Sequence, residues 1–277
     1  MKKIFLFTLL IFVSSCSSPK FINDFSSLKS YDEISTSSKI DLNNWHNLDP
    51  ELDTIPGTSV ERAHKELLEG LKGKKVIVAV IDTGLDIEHE SLSNNIWINK
   101  NEKINGKDDD NNGYIDDING WDTYTNDNDP SPHSNTPAWA HGTHCAGIAG
   151  AHTDNNEGIS SVGFGISLMA VKTADNNGLV NQTWDGVYYS IVSGADIISC
   201  SWSSGSYSQT NNNIIQAGIA AGSIIVAAAG NNGSNLSSNP KYPACYNGVI
   251  CVANTNSTDV KSSSSNYGTR IDVAAPG

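Results

Sequence analysis

Val76-Ile77-Val78-Ala79-Val80-Ile81 runs without a polar residue and stops at Asp82-Thr83-Gly84-Leu85-Asp86. The run predicts a buried strand over 75–81, ending at a glycine turn. Before it, the spacing of apolar residues from Val60 to Leu71 is helical. After it, the small residues from Gly142 to Ala151 suit a tightly packed helix, and 167–172 reads as the next strand. A helix over 184–194, a strand over 196–201, a helix over 212–222 and a strand over 223–229 continue the series. This alternation predicts a doubly wound α/β fold, a mainly parallel sheet with helices on both faces. Chemistry in such folds gathers at the carboxyl ends of the strands.

Three unusual segments fall at those ends. The first is Asp82, a carboxylate closing a buried strand, which is costly there unless a charge or hydrogen bond meets it. The second, His141-Gly142-Thr143-His144-Cys145-Ala146-Gly147, opens the small-residue helix and leaves His141 exposed at its start. The third, Ala227-Ala228-Ala229-Gly230-Asn231-Asn232-Gly233, is a strand running into amides and glycines. Each alone has an ordinary explanation: a turn or helix cap, a surface histidine or metal ligand, a tight turn. Together and in this order they resemble the subtilisin-like serine proteases, the subtilases. The resemblance runs from about Trp45 to Gly277 and takes in Tyr242-Pro243-Ala244 and Asp272-Val273-Ala274-Ala275-Pro276-Gly277.

That resemblance implies an endopeptidase working through an acyl-enzyme. His141 would be the general base, Asp82 the carboxylate that orients it, and Asn231 the side-chain donor of the oxyanion hole. His144 recurs in the motif as a structural residue. Ser199-Cys200-Ser201-Trp202-Ser203 resembles the segment that pairs with polypeptide substrates in extended conformation, which assigns Ser201, Trp202 and Ser203 to substrate binding. Ser203 stands where most relatives carry glycine, which would reshape the pocket for the residue before the cleaved bond. The nucleophilic serine of the family lies in a Gly-Thr-Ser-Met-Ala-like motif past the Asp-Val-Ala-Ala-Pro-Gly segment, so it is expected beyond Gly277, together with a core helix. The sequence given is then expected to be inactive alone and to lack the C-terminal part of the fold. Gly57-Thr58-Ser59 mimics the motif but precedes Asp82, and Ser59 is read as a helix cap. The alternative from a different class is an inactive subtilase-like surface lipoprotein that binds peptides.

Between Asp82 and His141, Asp108, Asp110 and Asn112, a glycine turn and the carbonyl of Tyr114 repeat the first half of an EF-hand-like loop. The closing glutamate is missing, and Asp116 or Asp117 would complete a structural Ca2+ shell, as in related subtilases. No organic cofactor is expected. Cys145 and Cys200 read as small buried hydrophobes. Cys245 and Cys251 lie near enough in sequence for a disulfide in an oxidising compartment.

The N-terminus sets the location. Lys2 and Lys3 precede the apolar run from Ile4 to Val13, which has the form of an export signal and is too short to cross a bilayer. Val13-Ser14-Ser15-Cys16 resembles a lipobox, which implies a signal peptide over 1–15 and acylation of Cys16. Residues 16–44, rich in Ser, Asp, Asn and Lys, read as the lipidated cysteine and a flexible tether, and 45–277 as the peptidase domain. The expected place is the bacterial cell envelope, held to the membrane by lipid. A net charge of -13 over 277 residues opposes nucleic-acid binding.

Overall fold

Strand and helix alternate through residues 42–277 of the computed structural model, which describes this range apart from 72, 154, 156 and 157, with side chains from residue 44 onward. The export segment, Cys16 and nearly all of the tether lie outside the described residues. In chain order the elements are α1 (Val60–Glu66), β1 (Val76–Asp82), β2 (Gly120–Asp122), α2 (Pro137–Gly150), β3 (Ile166–Lys172) and α3 (Thr183–Val192). They continue with β4 (Ile197–Cys200), α4 (Gln209–Ala221), β5 (Ile224–Ala228), β6 (Ile250–Thr255) and β7 (Val273–Pro276). The strands form one parallel sheet in the order β2-β3-β1-β4-β5-β6-β7.

Period-2 alternation explains why β1 is apolar as far as Ile81 and β3 from Leu168 to Val171. Val80, Leu168 and Ala170 face a core shared with Ala146 of α2, whereas Ala79, Ile81, Met169 and Val171 face one shared with Val187 and Tyr189 of α3 and Ile215 of α4. Side chains of these stretches therefore meet a helix on one face or the other, and the polar residues Asp82 and Lys172 come at the strand ends. The doubly wound α/β architecture is as the sequence indicates.

The order in which strands are added reverses between β1 and β4: β2 and β3 lie to one side, and β5 to β7 to the other. A crevice at the carboxyl ends of β1 and β4 is where this topology places a ligand.

Several boundaries differ from expectation. The first helix ends at Glu66 and buries none of its residues, and Leu67 and Leu71 are exposed. Strands β2, β6 and β7 are additional. Beside the crevice, Lys172 of β3 and Asp122 of β2 form a buried ion pair at 2.8 Å, with the ammonium 5.5 Å from the Trp139 ring centroid. Asp122 also accepts from the Tyr124 N–H at 2.8 Å and the Thr125 hydroxyl at 2.6 Å. These bonds offset the desolvation of its charge and tie β2, β3 and α2 together.

Candidate active site

Asp82 is the last residue of β1, and its side chain is 2 % exposed. Its Oδ1 accepts the Thr83 N–H at 2.7 Å and lies 2.7 Å from His141 Nδ1. Oδ2 is buried and meets no hydrogen-bond partner among the described residues. The imidazole is half exposed and therefore has one nitrogen fixed by a carboxylate and an open side toward solvent.

Helix α2 carries His141. It begins at Pro137, one turn earlier than expected, so His141 sits inside the helix rather than at its start. Proline at the first helical position loses no bond there and has a suitable φ. Two contacts hold the helix against the end of β1. The Thr83 hydroxyl donates to the Trp139 carbonyl at 3.1 Å and accepts the Gly142 N–H at 3.1 Å. A Cβ on Gly142 would lie 2.2 Å from the Gly84 carbonyl oxygen, so only glycine permits this approach.

The Asp82 carboxylate first, and the Cys145 sulfur second, hold His141 well above the ordinary imidazole value, against the opposing effect of burial. Cys145 departs from its expected buried role. One helical turn beyond His141, it is half-buried, packs in part on the α2-side core and reaches His141 Nδ1 at 3.8 Å and Nε2 at 4.0 Å. Cys200 is buried, and burial pushes its thiol up. Cys245 and Cys251 are buried free thiols; they form no disulfide.

Beyond β5 the chain passes through Gly230 at φ +95° to Asn231, which is exposed. Buried Asn266 holds this turn from beneath, with its Nδ2 donating to the Ala229 carbonyl at 2.8 Å. Pairing of β4 ends at Cys200 and resumes only at an isolated bridge between Ser204 and Tyr242. Ser201, Trp202 and Ser203 lie between, past the carboxyl end of β4, with no strand pairing among the described residues. Trp202 is buried edge-on to Trp184 with ring centroids 5.3 Å apart, and Ser203 is exposed. Ser203 Oγ lies 3.3 Å from the position of a Cβ on Gly230, so the loops of Ser203 and Asn231 abut.

Ser59 takes the N-cap position of α1 at φ +60°, without a side-chain bond to the helix end. Its N–H donates to the Leu48 carbonyl at 3.0 Å, which places it in the N-terminal packing and not at the Asp82–His141 pair.

In the acidic loop, carboxylate oxygens of Glu102, Asp108 and Asp110 lie within 4.8 Å of one another. Asn112 joins them, its N–H reaching Asp108 Oδ1 at 3.2 Å and Asp110 Oδ1 at 3.1 Å. The Tyr114 N–H donates to Asn112 Oδ1 at 2.8 Å. Asp116 accepts from the Asn105 and Gly106 amides instead. Asp117 is buried beneath the loop, bonded to Asn99, Asn112 and the Tyr189 hydroxyl. Desolvation pushes its carboxyl up to about 6. Glu102 precedes the recognisable spacing, and Asn266 follows a serine run that reads as loop; neither carried a motif.

Residues 73–277 match the profile described as Subtilase family. Thermitase of Thermoactinomyces vulgaris is 35% identical over 210 residues, covering 74% of this chain and 64% of thermitase. The thermophilic serine proteinase of Bacillus sp. (strain AK1) is 35% identical over 214 residues, covering 76% of this chain and 46% of that protein. The chain thus spans less than two thirds of either relative. A solved structure described as proteases from Pseudoalteromonas arctica PAMC 21717 aligns at a TM-score of 0.64 and 28% identity, covering 85% of this chain and 70% of the other.

Proposed function

The chain belongs to the subtilase family, and on that premise we propose that the full-length protein is a serine endopeptidase with an Asp/His/Ser triad. Asp82 and His141 supply two members, and a serine beyond Gly277 supplies the third. The observation that carries this reading is the 2.7 Å contact between a buried carboxylate and His141 Nδ1, which leaves Nε2 to serve a hydroxyl.

As the serine oxygen bonds to the scissile carbonyl carbon, His141 Nε2 takes its proton and Asp82 stabilises the imidazolium. The carbonyl oxygen becomes negative, and the Asn231 side-chain N–H donates to it. His141 then returns the proton to the leaving amine as the C–N bond breaks. Water repeats the sequence on the acyl-enzyme and releases the acid. An extended polypeptide would hydrogen-bond along 201–203, where β4 has no further pairing.

We also propose a structural calcium ion in the acidic loop. Three clustered carboxylates are hard oxygen donors that repel one another without a cation. Glu102, Asp108 and Asp110 would hold it, with Asn112 and the Tyr114 carbonyl. Asp116 and Asp117 would brace the loop from behind. Chelation of calcium from the full-length protein should cost about 2.7 kcal/mol if the ion is held at a hundred times its Kd, a fall in Tm of roughly 5–10 °C. Glu102→Gln should abolish that response. Equal melting with and without chelator would remove the ion from the loop.

The N-terminal reading gives export, a signal peptide over 1–15, acylation of Cys16 and a tether over 16–44. One experiment tests location and chemistry together. The full-length protein, treated with a fluorophosphonate probe, should be labelled on a single serine C-terminal to Gly277 and should partition into the detergent phase of a membrane extract. Absence of label on folded protein would sink the peptidase reading and favour a peptide-binding lipoprotein. Label confined to the aqueous phase would sink the anchor alone.

A further inference from the structure

We propose that Asn266 is the positioning residue of the oxyanion-binding turn, fixing the direction of the Asn231 amide from beneath by bonds to the residues on either side of it. The inference rests on the peptidase reading above. Asn266 is 0% exposed, and the hydrogen bonds of its side chain all go to residues of this turn. On the near side, its Nδ2 donates to the Ala229 carbonyl at 2.8 Å, and its backbone N–H donates to the Gly230 carbonyl at 2.9 Å. On the far side, Oδ1 accepts from the Asn232 N–H at 3.1 Å, the Ser234 N–H at 2.9 Å and the Ser234 hydroxyl at 3.1 Å.

Only a primary amide offers an acceptor and a donor on one short planar group. Aspartate would meet the Ala229 carbonyl with a like dipole, and serine has too few lone pairs and protons to span both sides. Gly230 completes the fit: a Cβ there would lie 2.8 Å from Asn266 Nδ2, and φ is +95°. No hydrogen bond of the Asn231 side chain is recorded among the described residues, so its aim follows from the backbone of the turn, and that backbone is held by Asn266. Asn266 itself touches no reacting atom in this scheme.

The test is a double-mutant cycle in the full-length protein with a peptide substrate. Asn231→Ala should lower kcat by about 10²–10³-fold. Asn266→Ala should lower kcat by about 10²-fold with KM nearly unchanged, the cost of a displacement near 1 Å. In the Asn231→Ala background, Asn266→Ala should cost almost nothing more, because the group it aims is gone. Multiplying losses would overturn the proposal, since a general structural role lowers activity in either background. If Asn266→Ala does not accumulate as folded protein, Asn266→Asp replaces it, keeping the acceptor and removing the donor. A smaller loss that again vanishes beside Asn231→Ala supports the proposal, and equal losses in both backgrounds overturn it. A wild-type protein without hydrolysis would refute the peptidase reading instead. Amide hydrogen exchange then decides for Asn266 independently: faster exchange at Asn232 and Ser234 in the variant supports its hold on the turn, and unchanged exchange overturns it.

Discussion

His141→Ala in the full-length protein should lower kcat by about 10⁶-fold, a size carried over from the triad of a subtilisin, and leave KM nearly unchanged. The serine proton has nowhere to go without the imidazole, and the leaving amine receives none. The fold should survive. The ring is half exposed, so water enters where it stood, and Asp82 keeps the Thr83 amide at 2.7 Å. Steady-state kinetics alongside a melting curve check both halves. Activity within about tenfold of wild type would leave His141 with less than the usual share of a general base.

Asp82→Asn is expected to lower kcat by about 10⁴-fold, because an amide can hold the imidazole in the wrong tautomer and gives no charge to the imidazolium. The variant carries a second signature in pH. In the wild type the carboxylate raises the imidazole pKa, so the base is free only at a pH above that raised value. Without it, the acidic limb of the kcat profile moves to lower pH. Stability responds in the matching direction. With the folded pKa raised above the unfolded 6.5, the pair contributes fully below the unfolded value, and that contribution is lost as pH climbs through the folded one. Asp82→Asn should therefore flatten the dependence of Tm on pH across that interval. An unmoved acidic limb would mean that Asp82 does not set the basicity of His141.

Sequence periodicity carried the architecture because β1 up to Ile81 and β3 from Leu168 to Val171 are buried on both faces and read as apolar runs. β2 was hidden: three residues between turns have no period to detect, and its Asp122 is stabilised by Lys172, fifty residues on. The start of α2 was legible in principle from Pro137 at its first position; glycine-rich spacing farther along drew the boundary inward. At the site, Asp82 and His141 stood out because a carboxylate ending an apolar strand and a histidine beside small residues are unusual in themselves. Cys145 was misjudged because helical spacing shows which residues share a face, but not that this face borders an open cleft. Glu102 and Asn266 owe their places to long-range packing that leaves no local pattern.

If the turn carrying Asn231 depends on Asn266 as proposed, the parts of the candidate site arise in a fixed order during synthesis. Asp82 and His141 are synthesised early, but the residue that braces the turn leaves the ribosome much later. At about 5–20 residues per second, roughly 6–25 s separate His141 from Asn266 during synthesis. Throughout that interval the nascent chain holds a base and its carboxylate but has no braced site for the negative charge of the reaction. Contacts this distant in sequence also form slowly once the residues exist. On the proposed reading, the turn that meets the developing negative charge would therefore be completed only after the Asp82–His141 pair already exists in the chain.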